Sequence, residues 1–252
     1  GGLHWLFDHA ETISARNIDR VRALGGGIAI QHRMAFQGEY FVERYGADAA
    51  KATPPVQRML DAGVPVGGGT DATRVASYNP WTALYWLVSG RTVGGLALTD
   101  AAGRLSRDTA LELWTAGSAW FSSEQGKKGR IRAGMLADLA VLSADYFAVP
   151  EEAIKSIDSV LTMVGGKIVY GQAEFATLAP PPIPVLPEWS PVRAVPGHYR
   201  PAARPAQALL PHQCAGACGV HAHAHDRARK SAVPISDFSG FWGTLGCSCF
   251  AF

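Results

Sequence analysis

The sequence predicts an α/β fold in which strands and helices alternate as in a β/α barrel, followed by a small β module and an irregular tail. Three observations carry this. Short apolar runs alternate with capped helical segments from Leu3 to about Phe121, the texture turns strand-like from Gly129, and prolines crowd the chain from about Pro180. With 48% hydrophobic and 17% charged residues, the 252-residue chain has the balance of a globular protein with one or two domains.

The first strand is expected to end near Asp8-His9. A helix follows, capped by Ser14, with Ile18, Val21 and Leu24 at spacing three and Gly25 as its stop. Ile28–Gln31 reads as the second strand. After a long insertion, Thr53-Pro54 reads as a cap and first-turn proline, with Val56, Met59 and Leu60 as the buried stripe and Gly63 as the stop. The third strand is Val64-Pro65-Val66, running into Gly67-Gly68-Gly69-Thr70-Asp71. Asn79-Pro80 opens a helix with Trp81, Leu84, Tyr85 and Val88 on one side, and Ser106 opens another carrying Ala110, Leu111 and Trp114. Beyond Gly129, Leu139–Leu142, Val160–Val164 and Lys167–Tyr170 read as strands, the last two joined by a two-residue turn at Gly165-Gly166. The expected domains are a partial β/α barrel over 1–125, a β-sandwich portion over 126–178 and a proline-rich tail over 179–252.

Composition narrows the function. A net charge of +2 with scattered Lys and Arg gives no basic stripe for phosphates, so nucleic acid is not an expected partner. No apolar run approaches the roughly 20 residues of a membrane span, and no basic segment leads into an apolar one at the start. A soluble, cytoplasmic chain with no membrane partner is expected. All four cysteines lie from Cys214 onward, which fits a reducing compartment. The chain starts without Met, directly in an apolar stretch, and reads as a fragment.

If the three strands are parallel neighbours, His9, Gln31-His32 and Asp71 share the rim on which β/α barrels build their sites. Asp71 follows a glycine run that lets a ligand come close to the backbone. Its carboxylate can ligate a metal and accept a proton, or merely cap the following turn. The imidazole of His9 suits Zn²⁺, yet a histidine at a strand end is commonly a packed core residue. His32 carries the same ambiguity. Arg74 and Glu39 are loop charges that either contact a polar substrate or are simply solvated.

Three segments resemble, in order, landmarks of the amidohydrolase superfamily, specifically its YtcJ-like branch. They are Phe7-Asp8-His9-Ala10-Glu11, Gly67–Ala72, and the run from Gly129 through Ala137-Asp138-Leu139 to Leu142. The resemblance spans roughly Leu3 to Gly171. It implies the C-terminal part of a TIM-like (β/α)8 barrel, with the first landmark closing the sixth strand and the second the eighth, and with the third returning the chain to a small β-sandwich. It also implies His9 as a metal ligand, Asp71 as metal ligand and proton shuttle, and a divalent cofactor, Zn²⁺ by ligand type, as one or two ions. The implied activity is metal-dependent hydrolysis of a carbon–nitrogen bond in a small-molecule amide or cyclic amide. The family's first-strand His-x-His pair, fourth-strand Lys or Glu and fifth-strand histidine have no counterpart ahead of His9, so the chain alone is expected to be inactive. At the seventh strand Gln31-His32 stands where relatives commonly have Gln-Pro, which suggests His32, with Arg74, as substrate contacts.

The tail offers a rival function. Cys214 and Cys218, followed by His221, His223 and His225, gather ligands for Zn²⁺ or Cu⁺, with Cys247 and Cys249 near the end. Their spacing matches no usual zinc-finger pattern, and an alanine-diluted histidine tract is often incidental. The alternative function is a metal-binding or interaction module. Phe238, Phe241, Trp242, Phe250 and Phe252 suggest that the tail docks on a second copy, making a homo-oligomer.

Overall fold

The computed structural model describes residues 4–72 and 76–181. The tail from residue 182 onward, with its expected Cys and His cluster and docking aromatics, lies outside the described residues.

Three strands form one parallel sheet in the order β1-β2-β3: β1 (Leu6–Asp8), β2 (Gly27–Gln31) and β3 (Val66–Gly69). The register pairs Asp8 with Ala29 and Gln31 with Gly69, so the C-terminal ends of all three lie together. Parallel neighbours need crossover helices. The first is α1 (Ala15–Ala23), where Ser14 accepts from the Asn17 amide as expected and Ile18 and Val21 are buried. Leu24 is 69% exposed and does not belong to the stripe, because the helix ends one residue earlier.

The stretch read as an insertion is helical: α2 (Met34–Tyr45), then the short α3 (Ala47–Ala50). The helix α4 (Val56–Asp61) starts later than its sequence signals suggest. Thr53 is not its cap; the hydroxyl donates to the Ala49 carbonyl, and Pro55 stands at the cap position with no side-chain bond.

The glycine run turns out to be strand β3 itself, and its small residues serve packing. A Cβ on Gly67 would strike Phe121, and one on Gly68 would overlap the Trp114 ring, whereas Gly69 has open space. The segment pressing on them is longer than expected: α6 (Arg107–Glu112), capped by Ser106, passes through a π-helical stretch at Leu113–Gly117 into α7 (Ser118–Phe121). Ser118 Oγ accepts from the Gly68 amide at 3.1 Å and donates to the Gly68 carbonyl at 2.9 Å, fixing α7 to the strand backbone. Before these lies α5 (Pro80–Ser89), capped by Asn79 and buried from Thr82 to Ser89 rather than on one side only.

The β module is a single antiparallel layer among the described residues, in the order β4 (Leu139–Leu142), β5 (Ser159–Val164) and β6 (Lys167–Gly171). Gly165 and Gly166 turn between the last two at φ +56° and +78°, the positive pair that a tight two-residue turn requires. Asp138 accepts from the Gly165 amide at 2.7 Å and the Ala137 carbonyl from the Gly166 amide at 3.0 Å, so Ala137-Asp138-Leu139 clasps the turn. Between β4 and β5, residues up to the short α8 (Glu151–Ile154) join the module to the helical layer. There Arg107 donates to the carbonyls of Tyr146 and Val149, Tyr85 to Glu152, and Asn79 to the Lys155 carbonyl. No helix among the described residues is long and apolar enough to cross a membrane.

Candidate active site

The parallel register carries the ends of β1, β2 and β3 to one rim, and the backbone there is unusual. His9, Ala10 and Asp71 have φ of +71°, +58° and +49°, a left-handed conformation that costs a residue with a Cβ on the order of 1 kcal/mol. The His9 amide donates to Ala29 at 2.8 Å, extending the β1–β2 ladder by one bond before the chain turns. The sheet thus anchors His9 from below while the turn lifts its ring.

His9 and Asp71, 62 positions apart in the chain, face each other. His9 Nε2 stands 3.8 Å from Asp71 Oδ2, and Arg33 Nη2 stands 3.7 Å from the same oxygen. On its other side, His9 Nδ1 is 3.8 Å from Glu11 Oε1. These are ion-pair spacings, too long for hydrogen bonds. Gln31 Nε2 donates to Asp8 Oδ1 at 3.2 Å, bracing the ends of β1 and β2.

Buried polar atoms normally find partners, and the exceptions call for a reason. Seven enclosed side-chain atoms lack a hydrogen bond among the described residues, and four of them belong to this rim: His9 Nδ1, Glu11 Oε1, Gln31 Oε1 and Arg33 Nε. Loops after two adjacent strands therefore hold polar groups whose bonding capacity is unspent.

The expected residues fare differently. The structure brings His9 and Asp71 together. His32 does not face the open rim as a substrate contact would: it is 0% exposed, and its ring meets Phe36 edge-on with centroids 5.5 Å apart. Burial lowers its pKa from 6.5 to about 4, so it is a neutral packing residue at physiological pH. Glu39 is not a loop charge but part of α2, buried, with Thr92 donating to its carboxylate. Burial pushes its carboxyl up, and the Thr92 hydrogen bond partly opposes this. Arg74, Cys214, Cys218, His221, His223 and His225 lie outside the described residues. Sequence reasoning missed Arg33 and gave Glu11 no role, although Arg33 directly follows Gln31-His32 and Glu11 belongs to the first landmark.

An imidazole nitrogen and a carboxylate oxygen facing each other without a hydrogen bond fit a divalent metal in donor type. They do not complete a coordination set: among the described residues no group of three or more His, Cys, Asp or Glu is placed to hold one.

Comparison with known proteins bears on this geometry. The model of the Amidohydrolase family matches residues 2–170. The chain is 26% identical over 173 residues to YtcJ of Bacillus subtilis, assigned as an amidohydrolase, covering 67% of this chain and 32% of that protein. It is 33% identical over 138 residues to a 5-methylthioadenosine/S-adenosylhomocysteine deaminase of Natronomonas pharaonis, covering 51% of this chain and 31% of that one. A solved structure of an uncharacterized metal-dependent hydrolase from Pyrococcus horikoshii aligns with a TM-score of 0.50 at 23% identity, over 58% of this chain and 30% of its own; this likeness concerns the fold. The chain spans about a third of the length of the curated relatives it matches.

Proposed function

The chain belongs to the amidohydrolase family, in its YtcJ-like branch, and from that premise we propose that it carries the histidine and aspartate half of a metal-dependent site that hydrolyses a carbon–nitrogen bond other than a peptide bond. One observation supports this above the others. His9 and Asp71, both left-handed just beyond their strands, face each other at 3.8 Å on a rim where His9 Nδ1, Glu11 Oε1, Gln31 Oε1 and Arg33 Nε lack partners among the described residues.

In this reading His9 and Asp71 would contribute to holding the divalent ion, Zn²⁺ by donor type. When bound, such an ion supplies Lewis acidity, polarising a carbonyl and making water nucleophilic near neutral pH. Asp71 then moves the proton: Oδ1 takes it from the attacking water and delivers it to the leaving nitrogen as the C–N bond breaks. The Arg33 guanidinium steadies the other oxygen, and the Gln31–Asp8 bond keeps the rim from splaying. The substrate is a small molecule with an amide, a cyclic amide or a related C–N bond. Two protein donors among the described residues fall short of the three or four that Zn²⁺ takes, so turnover by this chain alone is not expected.

Metal analysis of the purified chain after equilibration with Zn²⁺ tests the assignment. Asp71→Ala is expected to lose the bound metal, and a variant with the tail ligands Cys214, Cys218, His221, His223 and His225 replaced is expected to keep it. The reverse pattern would transfer metal binding to the tail. Metal-dependent amide hydrolysis by this chain alone, at an enzyme-like rate, would show that two donors suffice.

A further inference from the structure

We propose that Glu11 is a positioning residue for His9: its carboxylate draws the imidazole proton to Nδ1 and leaves Nε2 bare, turned toward Asp71 as an acceptor. The backbone carries the first sign. His9 and Ala10 are consecutive left-handed residues, at φ +71° and +58°, and neither is a glycine, so both are strained. The strain has a visible result: the turn doubles the chain back so that the side chains of residues 9 and 11 meet, with His9 Nδ1 3.8 Å from Glu11 Oε1. Both atoms are enclosed, and neither has a hydrogen bond among the described residues. The gap exceeds a hydrogen bond by about 1 Å, which side-chain torsions close without either atom surrendering a partner. No metal enters this inference, which concerns the proton within the ring.

The rival tautomer carries the proton on Nε2, which faces Asp71 Oδ2 at the same 3.8 Å. Three observations decide for Nδ1. Of the two ring nitrogens, Nδ1 is the one enclosed without a partner, and a buried polar atom left unpaired is the costlier loss. The Glu11 side chain is 18% exposed against 43% for Asp71, so at equal distance its charge acts through less solvent. Arg33 Nη2, 3.7 Å from Oδ2, offsets the charge of Asp71, whereas among the described residues no Arg or Lys lies within ion-pair reach of Glu11. A hydrogen bond to a carboxylate then favours the Nδ1–H form by about tenfold over a ring with no such partner. Held this way, His9 presents a lone pair at the rim, able to accept a proton or a donor group from a small molecule.

The test is nitrogen NMR of the full chain with isotope-labelled histidine, kept metal-free by a chelator and read where raising the pH no longer moves the ring signals. The His9 signals are assigned by their loss in His9→Gln, and protonated and bare ring nitrogens resonate far apart, so the tautomer is read directly. The wild-type chain should show Nδ1–H. Glu11→Gln, whose amide oxygen still accepts, should keep that form, and Glu11→Leu should move the tautomer ratio about tenfold toward Nε2–H, each fold being checked by far-UV circular dichroism. Nε2–H in the wild-type chain, or the wild-type ratio in a folded Glu11→Leu, overturns the inference. Because the measurement is made without metal, failure of the metal reading leaves this outcome unaffected.

Discussion

A histidine enclosed on every side, as His32 is, folds in its neutral form, and this has a measurable consequence. Its folded pKa of about 4 lies below the unfolded value of 6.5, so the unfolded chain takes up a proton first as the pH falls. The stability tied to neutral His32 is full above pH 6.5 and drains away as the pH falls through about 4, by about 3 kcal/mol in total. Glu39 acts with the opposite sign: its raised pKa gives a contribution that is full below 4.5 and is lost as the pH rises through the folded value. His32→Leu separates the two. Neither ring nitrogen has a partner among the described residues, so the change sacrifices no hydrogen bond there; chemical denaturation should show a neutral or slightly stabilising effect at pH 7 and a flatter profile between pH 6.5 and 4. The sequence showed a histidine at a strand end but not its surroundings, since the enclosure comes from Phe36 on α2, an element not expected there.

Among the elements, β3 shows why a glycine run can carry two meanings. Sequence reasoning assigned Gly67–Gly69 to ligand access, whereas Gly67 and Gly68 are small because the Leu113–Phe121 segment lies directly on the strand. Gly68→Ala forces the Trp114 ring aside and should cost about 1–3 kcal/mol in urea unfolding. Gly69→Ala, with nothing within 4 Å of its Cβ, should be close to neutral. Equal costs at the two positions would contradict the packing account. Caps were legible where side chain and backbone lie within three residues, as at Ser14, Asn79 and Ser106. At Thr53-Pro54 the same local pattern misled, because the threonine hydroxyl bonds backward to Ala49.

At the scale of the molecule, the barrel strands and the β module are tied through one seam. Arg107 anchors it, donating to the Tyr146 and Val149 carbonyls while the Tyr146 hydroxyl donates back to the Arg107 carbonyl. Removing the guanidinium leaves carbonyls unpaired in a half-buried seam, a cost of about 2–3 kcal/mol. Arg107→Met should lower the thermal midpoint and broaden or split the unfolding transition, read by differential scanning calorimetry; an unchanged single transition would show that the two parts do not depend on this seam. The same scale accounts for the rim: the three parallel strands β1, β2 and β3 bring His9 and Asp71 to one end of the sheet.

By itself the sequence determined the alternation of strands and helices, the capped starts, the glycine turn at Gly165-Gly166, and the family through the motifs around His9, Asp71 and Asp138. These are local signals, written within a few residues by periodicity, capping and turn chemistry. Tertiary structure alone decided which polar groups share a rim, that Arg33 joins Asp71, that His32 is sealed off, and that helix packing rather than a ligand claims Gly67 and Gly68. The reason is physical. Each depends on distances between segments tens of residues apart, and those distances are set by parallel register and helix packing, which no local pattern encodes.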